Sequence, residues 1–133
     1  MIKTLTFGDK TVQFSTSFAW CFVYKSQFGQ DPARVFMPAI RKITDQGDEG
    51  AASAIYEEIG LVGVVQIAWA MAKLCDKQLP DPMTWVSSFG DDFAALDIVT
   101  ELIPEAIQSC FSSKNLNPLP QKAPEEEKDQ AKA

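Results

Sequence analysis

The feature that most constrains this chain is an uncharged, largely apolar stretch that runs from Ile59 to Ala72. It contains fourteen residues and is interrupted by Gly60, Gly63 and Gln66. A helix that spans a bilayer needs about twenty consecutive apolar residues. The stretch is therefore too short to cross a membrane, and it predicts a core helix that other elements must cover.

The amino-terminal residues predict a β-hairpin. Over residues 2–14, apolar and polar side chains alternate on both sides of Gly8-Asp9-Lys10. A turn that begins with glycine supplies the positive φ that tight hairpins favour. Because an isolated hairpin is unstable, its apolar face must lie against helices.

Two helices are expected between the hairpin and the apolar stretch. The first follows a Ser or Thr cap at 15–17 and ends at Gly29, a residue typical of helix C-termini. The second begins at Asp31-Pro32, where an N-cap acceptor precedes a proline that needs no N–H. Pro38 should kink or interrupt this second helix.

The longest helix is predicted over about 52–77, with the acidic pair Glu57 and Glu58 near its start, as the helix dipole prefers. A short helix over 82–89 and a final helix over 92–113, kinked at Pro104, should follow. The fold class is therefore mainly α, with an N-terminal β-hairpin packed on a compact bundle of about four to five helices. We place this domain at residues 1–116. Residues 117–133, rich in Pro, Glu and Lys, should form a disordered acidic tail.

Charge and cysteine content restrict the partners and the compartment. The formal net charge is −6, with 18 acidic and 12 basic residues. Such a surface repels nucleic-acid phosphates and anionic lipids, so we expect neither nucleic acid nor membrane as a partner. Arg34, Arg41 and Lys42 would share one side of a helix, where a solvated face explains them without a function. The three cysteines lie among apolar residues without a C-x-x-C motif, which fits free thiols in a reducing cytoplasm.

The residues needed for common catalytic chemistry are missing. The sequence has no histidine, which removes the commonest general base and metal ligand. The pairs Glu57/Glu58 and Asp91/Asp92 would point about 100° apart on a helix, so neither pair would converge on a substrate. Gly60 and Gly63 lack the lysine of a phosphate loop and would instead allow close approach of another helix or the hairpin. We therefore predict no enzyme, no cofactor and no metal site.

Three segments, in this order, give the chain a recognisable character. They are YKSQFGQD at residues 24–31, WAMAK at 69–73 and PMTWVSSF at 82–89. With the leading hairpin and the final amphipathic helix, this arrangement resembles the tail assembly chaperones of long-tailed bacteriophages, in particular those of phages and prophages of Gram-positive bacteria. The resemblance covers about residues 2–115.

The resemblance implies a protein that binds the tape-measure protein, keeps it soluble and helps to recruit subunits of the tail-tube protein. Such a chaperone would act in the host cell cytoplasm and be absent from the mature virion. Two alternatives remain: a structural tail-completion or connector subunit of the virion, and a generic helical adaptor protein. Self-association is left open.

Binding a helical partner would require an apolar groove. Trp85, Phe89 and Phe93 flank the short helix expected at 82–89 and are the candidate partner-binding residues. The alternative is that all three side chains belong to the core.

Overall fold

The computed structural model describes residues 1–46 and 51–111. The chain is mainly helical, with a two-stranded hairpin at its amino terminus, as the sequence predicts. The predicted domain boundary at residue 116 and the tail at 117–133 lie outside the described residues.

Strands β1 (Ile2–Phe7) and β2 (Lys10–Ser15) pair antiparallel around Gly8, with Leu5 opposite Val12. The hairpin buries Leu5, Phe7 and Phe14 on the face that lies against the helices. This is the support that an isolated hairpin requires.

Helix α1 (Trp20–Phe28) begins later than its Ser and Thr residues suggest and ends at Gly29, whose φ of 78° is the left-handed C-terminal conformation predicted there. Helix α2 (Pro32–Gln46) continues through Pro38 without interruption. The Asp31 carboxylate accepts a hydrogen bond from the Ala33 N–H at 2.9 Å, so it caps α2 as expected.

The long helix predicted over 52–77 is wrong, because two helices occupy this range. Helix α3 (Ala51–Glu58) and helix α4 (Leu61–Cys75) are bent by 99° relative to each other. Between them, Gly60 adopts φ 86° and ψ 160°, a conformation available essentially only to glycine. A Cβ at Gly60 would meet no atom within 4 Å, so this glycine serves backbone conformation and not the close approach that we expected.

The bend also changes the role of Glu57 and Glu58. They lie in the last turn of α3, where the helix dipole disfavours negative charge, and not near the start of a long helix. Lys42 of α2 compensates by forming ion pairs with both carboxylates. Hydrogen bonds from Lys42 to Glu57 and then Glu58 raise the pKa of the lysine. These exposed pairs orient α3 against α2 while contributing little net stability.

Helix α4 is the centre of the core. Its buried residues face the hairpin, α1 and the C-terminal helices, and they include Val64 and every residue from Ile67 to Ala72. The Trp69 indole N–H donates to the Pro80 carbonyl at 2.7 Å and so fixes the loop after α4. Other elements therefore cover the second half of the predicted apolar stretch, whereas Leu61 and Val62 in its first half stay exposed.

The chain after α4 differs from the predicted pair of helices. Helix α5 (Pro82–Ser87) forms as expected, and a 3-10 turn (Gly90–Asp92) follows it. The last helical segment begins at α6 (Ala95–Asp97) and not at residue 92, because Phe93 is extended. It then passes through a π-helical turn (Ile98–Leu102) into α7 (Ile103–Phe111).

The π-helical turn directly precedes Pro104. In this turn the Ile103 N–H donates to the Ile98 carbonyl, five residues back. A proline lacks the N–H for a regular helical bond, and its ring crowds the preceding turn. A widened turn accommodates both effects, and the helix continues through Pro104.

Helices α1 and α7 meet through a polar contact and a sulfur contact. The Trp20 indole N–H donates to the Ser109 hydroxyl oxygen at 2.9 Å. Cys21 and Cys110, hereafter the buried thiol pair, have their sulfur atoms 3.3 Å apart in the core. Hydrogen bonding to Cys21 and burial raise the pKa of the Cys110 thiol, so it stays protonated.

Candidate functional site

An open apolar groove lies between the first half of α4 and α5, and Phe93 and Ala95 complete its lining. Its volume is about 500 Å³. We call it the α4–α5 groove, and its lining residues are Leu61, Val62, Val65, Gln66, Pro82, Met83, Val86, Ser87, Phe93 and Ala95. None of these side chains is charged.

The groove exists because α4 and α5 are apolar on two faces. Residues 61, 62, 65 and 66 share one face of α4, and residues 82, 83, 86 and 87 repeat the same spacing on α5. The opposite face of each helix is buried, with Val64 and Ile67 on α4 and Trp85 on α5. Because only one apolar face of each helix is covered by the core, the second apolar face either packs on a partner or stays exposed to solvent.

Here the second face is exposed. Val62 is 70% exposed and Met83 is 77% exposed, while Leu61 beside Val62 is also largely accessible. Leu96, next to the lining residue Ala95 in the chain, is another exposed apolar side chain. Single exposed apolar residues are ordinary, but a contiguous apolar patch on a concave surface is typical of a binding site.

The position of α5 is set by its N-terminal cap. The Asp81 carboxylate accepts hydrogen bonds from the Thr84 N–H at 3.1 Å and from the Thr84 hydroxyl at 2.7 Å. These hydrogen bonds, led by the one from the Thr84 hydroxyl, lower the pKa of Asp81. Pro82 occupies the first turn, where its missing N–H costs nothing. One wall of the groove is thus fixed by the Asp-Pro signal that the sequence displays.

The structure brings the three predicted partner-binding residues together as one aromatic cluster. The ring centroids of Trp85, Phe89 and Phe93 lie 5.6–5.7 Å from one another. Trp85 is 3% exposed and Phe89 is 7% exposed, and both pack under the hairpin against Phe14 and Phe7 respectively. Phe93 is half-buried and lines the α4–α5 groove.

Partner binding by these three residues stays a prediction, but the residues differ in whether a bound molecule could reach them. Phe93 can contact a molecule in the groove directly, whereas Trp85 and Phe89 do not line the groove and contact the Phe93 ring from the core. Val62 and Met83, the most accessible apolar side chains in the groove, were not among the predicted binding residues. The available signal was the second apolar face of each helix, but the stretch that contains Val62 was predicted to be a core helix covered by other elements.

A smaller cavity of about 390 Å³ lies between β2 and the end of α4. It contains Cys75 and Asp76 beside Trp85, and burial raises the pKa of the Cys75 thiol. Across residues 1–46 and 51–111, no three His, Cys, Asp or Glu side chains lie together in a way that could hold a metal ion. In the same part of the chain, no single helix is long and apolar enough to cross a bilayer. Helices α3 and α4 pass that test only as a pair bent by 99°.

Comparisons with known proteins add no assignment to this geometry: the chain matches no protein-family model, no curated protein and no solved structure.

Proposed function

We propose that this protein is a non-catalytic binding protein, a phage tail assembly chaperone whose α4–α5 groove holds helical segments of the tape-measure protein. The observation that carries the proposal is the uncharged groove with Val62 and Met83 exposed along it. An amphipathic helix can lay its apolar face into such a groove. The resemblance of residues 2–115 to tail assembly chaperones names the partner.

The lining of the groove suits a partner with many non-identical segments. It contains no charged side chain that would demand one particular counter-charge. Methionine is unbranched and polarizable, so Met83 can pack against apolar side chains of different shapes. A chaperone of a long helical chain needs this tolerance, because each segment presents a different apolar face.

The expected strength of one contact is modest. Burying each exposed Val or Met side chain contributes roughly 1.5–3 kcal/mol. Association itself costs about 4–15 kcal/mol in lost motional freedom. A single groove should therefore bind one segment weakly, and several copies along one tape-measure chain would cover its apolar faces reversibly. Release is required before the tail tube can enclose the same chain.

The test is co-expression with the long helical protein encoded by the neighbouring gene, followed by pull-down and a solubility assay. Met83→Glu and Val62→Glu each place a charge in the groove and should abolish the complex. Ile2→Glu is the matched control, since it adds the same charge at an exposed apolar position on the hairpin outside the groove. Far-UV circular dichroism checks that each variant keeps its helices.

The outcomes separate the chaperone from its alternatives. A complex that needs the groove, together with absence of the protein from purified particles, supports the chaperone. Presence in mature particles would instead favour a structural tail-completion or connector subunit. A complex with one folded partner, and none with the long helical chain, would favour a generic adaptor. Pull-down of the tail-tube protein in the same experiment tests the second partner that the resemblance implies.

A further inference from the structure

Helix α1 carries an exposed aromatic side chain that the α4–α5 groove does not explain. Phe22 is 71% exposed, although Cys21 and Tyr24 on the same helix are buried. Its ring meets that of Phe18, one turn earlier, edge to face with centroids 6.1 Å apart. Lys25 follows one turn later, so the three side chains form a row on one side of the chain.

Two adjoining depressions run along this row towards α2. The first, of about 180 Å³, is lined by Phe18, Cys21, Phe22, Lys25, Asp31 and Pro32. The second, of about 440 Å³, is lined by Lys25, Gly29, Gln30, Asp31, Arg34 and Val35. Because Lys25 and Asp31 line both, the depressions form one continuous surface, which we call the α1–α2 surface.

The α1–α2 surface is apolar at one end and cationic at the other. Lys25 and Arg34 are exposed, and neither forms an ion pair with any side chain of residues 1–43 or 52–111. Asp31 lines both depressions with its carboxylate accepting the Ala33 N–H at 2.9 Å, so with Lys25 and Arg34 the surface carries two positive charges and one negative charge and is net positive. Two cations thus face solvent beside an aromatic pair, on a chain whose formal net charge is −6.

We infer that the α1–α2 surface docks an acidic amphipathic segment of a partner protein. A large apolar side chain of the segment would pack on Phe18 and Phe22, and a neighbouring carboxylate would pair with Lys25 and Arg34. Charge complementarity selects this occupant, because the exposed cations disfavour a basic segment at this position. The surface shares no lining residue with the α4–α5 groove, so the protein would hold two segments at once.

The test uses two synthetic helical peptides of about 18 residues that share one leucine face. One peptide carries Glu beside that face and the other carries Lys. Fluorescence anisotropy with the full chain measures both affinities. The comparison is stringent, because the net charge of −6 by itself attracts the Lys peptide. Tighter binding of the Glu peptide is expected only if a local cationic site receives it.

Variants locate the site. Phe22→Ala and the double reversal Lys25→Glu/Arg34→Glu should each weaken binding of the Glu peptide by about tenfold or more. Lys77→Glu, a charge reversal at an exposed position outside both depressions, should leave it unchanged. All peptide measurements are made in the Met83→Glu background, which puts a charge in the α4–α5 groove and so keeps the leucine face of the peptides out of it. Phe22 and both cations are exposed, so these changes should preserve the fold.

Three results would overturn the inference: equal or tighter binding of the Lys peptide, no effect of the double reversal, or no binding of the Glu peptide in the Met83→Glu background. The third result would show that the α4–α5 groove is the site that holds the peptide. Because the two sites are tested by separate variants, failure here leaves the proposed chaperone function standing. Failure of the groove variants to disturb the tape-measure complex would likewise leave this inference standing.

Discussion

Substituting Gly60 by alanine tests the bend between α3 and α4. Gly60 has φ 86° and ψ 160°, and a Cβ added there would meet nothing within 4 Å. The cost of the change is therefore conformational and involves no clash with neighbouring atoms. Holding a residue other than glycine in this region costs about 1–3 kcal/mol. We expect Gly60→Ala to lower the free energy of unfolding by that amount.

If residues 52–77 formed one continuous helix, Gly60→Ala would raise the free energy of unfolding instead of lowering it. Inside a helix, replacing glycine by alanine stabilises by about 1 kcal/mol, because alanine loses less backbone entropy and has the highest helix propensity. The direction of the change therefore distinguishes the bent pair from the long helix, even if its size is measured poorly.

The assay is thermal and urea denaturation of the wild type, Gly60→Ala and the control Gly29→Ala. Gly29 has φ 78° and ψ 3° at the end of α1, also with open space around it, and alanine there should cost about 1–2 kcal/mol. For a domain of this size, 1 kcal/mol shifts the melting temperature by roughly 4 °C. A higher melting temperature for Gly60→Ala, with a lower one for Gly29→Ala, would refute the bend.

Three further predictions concern the core, the α5 cap and the thiols. In urea denaturation, Trp85→Ala should lower the free energy of unfolding by about 3–5 kcal/mol because this side chain is buried. Met83→Ala should change it by less than about 0.5 kcal/mol, because Met83 is exposed. Equal losses for the two variants would contradict their different burial. The lowered pKa of Asp81 means that its capping contribution is complete above its usual pKa and disappears as pH falls through the lowered value. The melting-temperature difference between wild type and Asp81→Asn, which cannot titrate, should therefore stay constant at neutral pH and change only below about pH 4, and a change near neutral pH would contradict this assignment. When the native protein is alkylated and analysed by mass spectrometry, Cys75 should be modified first, and only at alkaline pH because burial raises its pKa. The buried thiol pair should react only after unfolding. Early modification of this pair would show that the α1–α7 contact opens.

The elements with local signals were predictable from the sequence. The hairpin has alternating side chains and a glycine turn, and Asp31-Pro32 and Asp81-Pro82 each mark a helix start by the chemistry of the cap. The bend at Gly60 was not predictable, because the apolar periodicity continues on both sides of Gly60 and carries no information on the sign of φ. Only tertiary packing, which turns α3 onto α2 while α4 enters the core, decides that this glycine is used for a turn.

The candidate site was predictable only in part. The 82–89 segment and its aromatic residues stand out in the sequence, and the α4–α5 groove lies beside α5. The sequence alone does not distinguish Trp85, which is buried, from Met83, which is exposed, since both are apolar and only two positions apart. On a helix, two positions correspond to about 200°, so their side chains lie on opposite faces once one of them is anchored in the core.

The bend and the groove are parts of one arrangement. Leu61 and Val62 follow Gly60 directly, so the turn at Gly60 sets the direction in which α4 begins, and the first turn of α4 forms one wall of the groove opposite α5. From Ile67 to Ala72 the same helix is buried under the hairpin and α1. The conformation of Gly60 therefore explains the failure of the long-helix prediction, and the bend lies at the start of the helix that supplies this wall of the groove.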